Sequence, residues 1–176
     1  MNIKFSDPIS AKDIRNGNVK LPAEPGLYKW WFPKKDAEML LIPLLSAGLD
    51  CQNIEKMKIP AGKLFGGEYW ALYLGKAEDE PLSKRILRQH IGGNRKGSTL
   101  RKTISALLIE LGLDGAENRI NEIIDRAYVQ TCALQDKVGE EENCCINDGY
   151  FPLNIKSNKE ELKAVTDKLS SLRSKV

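Results

Sequence analysis

Two short aromatic runs constrain this chain more than anything else in it. Gly26-Leu27-Tyr28-Lys29-Trp30-Trp31-Phe32 lies between Pro25 and Pro33, and Tyr69-Trp70-Ala71-Leu72-Tyr73-Leu74-Gly75 follows the Gly66-Gly67 pair. Aromatic side chains at this density suit the half-buried surface of a strand, and proline is confined to strand ends and edges. A third run, Ala127 to Leu134 (AYVQTCAL), has the same character. Within the second run, strict alternation puts Trp70, Leu72 and Leu74 on one apolar face, and Tyr69, Ala71 and Tyr73 on the other.

Most of the remaining chain reads as helix. Residues 36–48 (DAEMLLIPLLSAG) are helical in pattern, with Pro43 expected to kink or split them. Pro81 opens a helix over 81–91 that Gly92-Gly93 breaks, and Ser98 can cap a helix over 99–112. A shorter helix covers 115–125, Asp136 can cap one over 137–147, and Asp148-Gly149 reads as a turn. A charged amphipathic helix occupies 158–174, where no chemistry is expected. Residues 1–20 read as irregular or as an edge strand, residues 49–67 as mixed, and Gly66-Gly67 as a turn. Three strands with several helices describe a small sheet covered by helices, an α+β domain. With 176 residues, one domain spanning 1–176 is the default.

Composition excludes more than it identifies. Hydrophobic residues at 41% and charged residues at 29% describe an ordinary globular chain. No apolar run approaches the ~20 residues needed to span a bilayer, so no membrane partner is expected. The opening MNIKFSDPIS has no run of signal-peptide length, which sets the expectation of a cytoplasmic protein. Cys51, Cys132, Cys144 and Cys145 include no C-x-x-C pair, and reduced, buried thiols are the expectation. The net charge of +3 is mild, so its placement matters more than its size. Lys84, Arg85, Arg88, Arg95, Lys96, Arg101 and Lys102 occur with no Asp or Glu between Glu80 and Glu110. With Ser98 and the free N–H groups of the helix it caps, they form a candidate phosphate-binding surface for nucleic acid. The only histidine, His90, lies at the end of the first basic helix, where a neutral imidazole could take a proton. Glu142 belongs to an acidic run that taken alone reads as surface. Asn154, past a turn and a proline, comes near it if the chain folds back. One carboxylate with waters and a phosphate oxygen is a common way of holding Mg²⁺.

These residues carry a resemblance. Gly26-Leu27-Tyr28 and Tyr73-Leu74-Gly75 resemble the paired half-motifs of the GIY-YIG nuclease family, with Leu in place of each Ile. Arg85, His90, Glu142 and Asn154 follow in the family's order, and Leu82 to Arg101 is similar to a bacterial branch of it. The resemblance covers residues 25–155 and implies a three-stranded antiparallel sheet flanked by helices, with 34–67 as an insertion between the first two strands. It implies an endonuclease acting on DNA by a one-metal mechanism. Tyr28 and Tyr73 would lie on neighbouring strands, Tyr28 would activate water, and His90 would relieve it of a proton. Arg85 would neutralise the phosphate, Glu142 would bind one Mg²⁺ or Mn²⁺, and Asn154 would orient groups around the site. The alternative is a nucleic-acid-binding module that keeps the fold without turnover. Family members place the His or Tyr four residues after the Arg, whereas His90 is five after Arg85. On a regular helix that is a rotation of about 140°, so a local bulge or a helix end is required if both are to face one site.

Overall fold

The computed structural model describes residues 3–63, 66–156 and 159–176. In chain order its elements are β1 (Ile9–Ser10), α1 (Ala11–Arg15), β2 (Gly26–Pro33), α2 (Lys34–Leu45), β3 (Lys56–Ile59) and β4 (Gly67–Ala77). A π-helix (Lys84–Ile91) follows, then α3 (Thr99–Glu110), α4 (Glu117–Asp125), β5 (Tyr128–Ala133), α5 (Val138–Asp148), a 3₁₀ turn (Glu160–Leu162) and α6 (Lys163–Arg173).

The three aromatic runs become the centre of one antiparallel sheet, with the strand order β1-β5-β2-β4-β3. The sheet therefore has five strands where three were expected. The two additions are edge strands with weak sequence signals: β1 has two residues, and β3 (KMKI) is half lysine. Short, lysine-bearing edges are how sheets avoid pairing with other chains, so the trait that hides them serves the fold. Residues 34–63 of the expected insertion are built into the body, since Leu40, Leu41 and Leu44 of α2 are fully buried. Arg126 further clamps Asp36 of α2 through hydrogen bonds of 2.7 and 2.9 Å. Positions 64 and 65 of that insertion, and 158 of the tail, lie outside the described residues.

Alternation along β4 breaks at a β-bulge. Trp30 pairs with Tyr73 but Trp31 pairs with Ala71, which leaves Leu72 without an opposite residue. A bulge adds one residue and reverses the faces beyond it. Tyr73 consequently joins Tyr28, Trp30, Phe32, Trp70 and Leu72 on the face covered by α1 to α4 and α6. Leu74 joins Tyr69, Ala71, Trp31 and Tyr128 on the face closed by Ile146 of α5 and Phe151. The face assignment expected for Tyr73 and Leu74 is thus exchanged.

Smaller differences have local causes. Gly67 opens β4 instead of closing a turn, and α2 runs through Pro43 unsplit. Helix α5 is capped not by Asp136 but by Lys137, in a left-handed conformation (φ 54°). Ser98 does cap α3, its Oγ accepting from Arg101 N at 3.2 Å. All four cysteines are free, but only Cys132 is buried; Cys51 and Cys145 are half-buried and Cys144 is exposed, where burial was expected.

Gly26 is required by close approach. It has φ +155°, and a Cβ there would collide with the carbonyl oxygen of Cys132 on β5. Gly26→Ala is expected to destabilise the protein by ~1–3 kcal/mol through overpacking. Urea denaturation checks this, and an unshifted midpoint would contradict it.

Candidate active site

A hydrogen-bonded chain crosses from the sheet to the helical layer. The hydroxyl of Tyr28 on β2 lies 2.7 Å from Nε2 of His90, and Nδ1 of His90 lies 2.7 Å from Oγ of Ser98. All three side chains are buried. Trp30 meets the imidazole edge-on, with centroids 6.0 Å apart, and the Tyr28 and Tyr73 rings lie 5.2 and 6.3 Å from it. Tyr28 and Tyr73 themselves stand 6.3 Å apart on adjacent strands, an arrangement the bulge makes possible. Tyr28 faces Gly75 across the β2–β4 pair, and a Cβ at 75 would sit 2.5 Å from the Tyr28 hydroxyl oxygen. The glycine that closes the second aromatic run is the space into which the first run's phenol fits.

The five-residue step from Arg85 to His90 is accommodated by the π-helix. Its wider turn pairs residues five apart, as in the 2.8 Å bond from Gly92 N–H to the carbonyl of Leu87. Such turns are rare outside functional segments. Arg101 holds the end of this helix, with Nη1 donating to the carbonyls of His90 (3.0 Å) and Ile91 (3.2 Å). Its Nη2 donates to Glu117 (2.6 Å) and Asn121 (2.7 Å). Arg101 is 1% exposed and Ser98 2%. Neither can reach a polynucleotide, which corrects their assignment to a phosphate-binding surface: they are struts behind His90. The other expected cations are accessible to different degrees. Lys84, Arg88 and Lys96 are exposed, and Arg85, Arg95 and Lys102 are half-buried.

Arg85 is pre-positioned by two residues that sequence reasoning missed. Its Nε lies 2.7 Å from Glu80, its Nη1 donates to Gln89 at 2.7 Å, and Gln89 donates to the same Glu80 oxygen at 2.7 Å. The boundary acid of the basic stretch was the available signal. Asn154 acts on the backbone. Its side chain accepts from Leu74 N (3.0 Å) and donates to Leu74 O (2.7 Å), and Leu153 N donates to Leu72 O (3.0 Å). These bonds stand where β3, which pairs with β4 only as far as Trp70, no longer supplies a neighbour. Asn154 serves as a surrogate strand beside Tyr73.

Glu142 comes from α5, on the far side of the sheet, yet its charge reaches both phenols. Burial raises Tyr28 well above the ordinary phenol value; Tyr73 adds to this, Arg85 opposes it, and Glu142 contributes. Burial and then Glu142 push Tyr73 up to about 12, against its hydrogen bond with Tyr28 and the charges of Arg173 and Arg85. Burial raises Glu142 above the usual carboxylate range, partly offset by Lys76, whose Nζ is 3.6 Å away. Burial, helped by Arg85 and Arg101, pushes His90 down to about 3, so its imidazole is neutral at pH 7. Tyr28, Tyr73, Arg85, His90 and Glu142 thus share one field, and Asn154 pins the strand beneath it.

Among the described residues no group of three or more His, Cys, Asp or Glu side chains could hold a metal. A single half-buried carboxylate does fit a hard cation such as Mg²⁺, which keeps most of its waters and takes one or two carboxylates plus substrate phosphates. Glu142 is the residue that would hold such an ion, with Lys76 offering only partial charge compensation.

A sheet-borne phenol pair backed by an imidazole, with a guanidinium and a carboxylate in the same field, is a constellation suited to phosphate chemistry. Residues 26–175 match the family model described as the GIY-YIG catalytic domain, most of the chain, and the chain belongs to that family. Membership implies a nuclease-type function acting on nucleic acid. No curated protein and no solved structure matches the chain. Among the described residues no helix is long and apolar enough to cross a membrane.

The depressed His90 value has a thermodynamic consequence. The unfolded imidazole gains its proton near pH 6.5, while the folded one resists until about 3. Stability from this group is therefore complete above pH 6.5 and lost as pH falls towards 3, at up to about 1.4 kcal/mol per pH unit. The raised Glu142 value acts in the opposite sense, so the difference between wild type and His90→Gln isolates the imidazole. Parallel stability–pH curves for the two proteins would refute the assignment. Asn154→Leu removes both bonds to Leu74 and is expected to cost ~1–3 kcal/mol per orphaned backbone group, read as a lowered thermal midpoint.

Proposed function

We propose that this domain is a divalent-metal-dependent endonuclease that hydrolyses DNA phosphodiester bonds. The Tyr28–His90 hydrogen bond carries this reading, because it gives the phenol a proton acceptor at the site that Arg85 and Glu142 share. Burial makes both tyrosinate and imidazolium costly, so neither partner ionises alone near neutral pH. The relay therefore works in one step: water gives its proton to the Tyr28 oxygen as the Tyr28 proton passes to Nε2 of His90. That tautomer needs hydrogen on Nδ1, donated to Ser98 Oγ, which also accepts from Arg101 N. Negative charge growing on the phosphate then offsets the new imidazolium, and Arg85 stabilises the phosphate oxygens. Tyr73 bounds the nucleophile's position, and Asn154 fixes Tyr73 through its strand. Mg²⁺ or Mn²⁺ on Glu142 would supply Lewis acidity and charge for the leaving 3′ oxygen.

A second reading, a binding module without turnover, is favoured by one observation: an imidazole pushed down to about 3 is a weak base. Supercoiled plasmid with Mg²⁺ or Mn²⁺ separates the two. The nuclease reading expects nicking by wild type and none by Glu142→Ala. Absence of nicking by wild type across DNA types leaves the binding module. Arg85→Ala is expected to slow cleavage at least about a hundredfold while retaining DNA, since it removes charge stabilisation from the transition state. An equal collapse of DNA retention would reduce Arg85 to an anchor.

A further inference from the structure

The C-terminal helix, in which the sequence showed only mixed surface charge, delivers a cation to the site. Arg173 is the last residue of α6, and the buried Val165, Leu169 and Leu172 seat that helix on the core. Its Nε is buried and has no hydrogen-bond partner among the described residues, and no described carboxylate forms an ion pair with it. Arginine cannot shed its charge, so a half-buried guanidinium that no described carboxylate neutralises favours an anion in the cavity it borders. A cation at a helix C-terminus gains from the helix dipole, but that does not satisfy Nε. Its charge is coupled to Tyr73, each shifting the other's proton affinity.

Arg173 also borders a cavity of about 260 Å³, lined by Lys102, Ile155, Ser170, Arg173 and Ser174. Ile155 follows the Asn154 clamp directly. Lys102 is shared with a second cavity of about 510 Å³, lined by Arg95, Lys96, Lys102, Ile109, Lys175 and Val176. No Asp or Glu side chain lines either one. The two meet at Lys102 and form a cationic groove along α3 and α6.

We propose that Arg173 binds a backbone phosphate of the nucleic-acid strand next to the scissile one, and that the groove it forms with Lys102, Ser170 and Ser174 carries the flanking strand across the protein. This deepens the nuclease reading and rests on it for which phosphate is scissile. Phosphodiester backbone is the ligand the groove fits, since the guanidinium and ammonium groups of Arg95, Lys96, Lys102, Arg173 and Lys175 are donors without acceptor capacity, suited to anionic oxygens.

The test is anisotropy of a fluorescein-labelled DNA duplex with the full chain in EDTA, at several salt concentrations. Arg173→Gln is expected to bind about tenfold more weakly, with a log–log salt slope shallower by about 0.9, as losing one phosphate contact requires. Arg173→Lys keeps the charge and is expected to restore most of the slope. Unchanged affinity and slope in Arg173→Gln would overturn the proposal. If Arg173→Gln loses its cooperative melt, Lys102→Gln on the facing wall decides, and an unchanged slope there overturns the groove. Wild type that nicks nothing but shows the Arg173 effect sinks the nuclease reading and upholds the phosphate site. Wild type without salt-dependent binding sinks both.

Discussion

The buried bond between Tyr28 and His90 is the interaction around which the rest of the molecule is arranged. It joins the central strand of the sheet to the first helix after β4, and both partners lie out of water. A neutral imidazole can occupy such a position only if both ring nitrogens are satisfied. Ser98 meets that need from the N-terminus of α3, and Arg101 ties down the last two carbonyls of the π-helix. The aromatic wall of Trp30 and Tyr73 then excludes solvent. The burial that fixes the imidazole also lowers its basicity.

Charge is handled differently on the two sides of the site. Arg85 is braced by Glu80 and Gln89, so its guanidinium is already ordered before any ligand arrives. Ordering in advance reduces the entropy lost when an anion binds. Glu142 is poised instead by partial compensation, with Lys76 shared between it and Glu78, 2.7 Å away. A divalent ion would compete with a lysine ammonium there, not with a fully satisfied carboxylate.

The three central strands and most of the helices were legible in the sequence because each rests on a local signal. Aromatic runs mark β2, β4 and β5, Ser98 marks the start of α3, and the half-motif glycines mark close approaches. What escaped was set by pairing across the chain. The short edges β1 and β3 have no pattern of their own. The bulge at Leu72 is a property of register between two strands, and strict alternation assigned Tyr73 to the wrong face. Ser98 and Arg101 looked like phosphate ligands because charge and hydroxyl content do not report depth. The π-helix was anticipated only as a requirement of the Arg85-to-His90 step, since nothing in KRILRQHI distinguishes a wide turn from an ordinary one.

The unpaired residue at Leu72 acts as a parity switch for the sheet. Strand positions before it and after it obey opposite rules of inside and outside. Register is therefore pinned at the bulge: were it ironed out with Leu72 retained, strict alternation would turn Tyr73 to the α5 face and bring Leu74 to the imidazole. The second phenol owes its place in the site to one extra residue in its strand, not to its own side-chain chemistry.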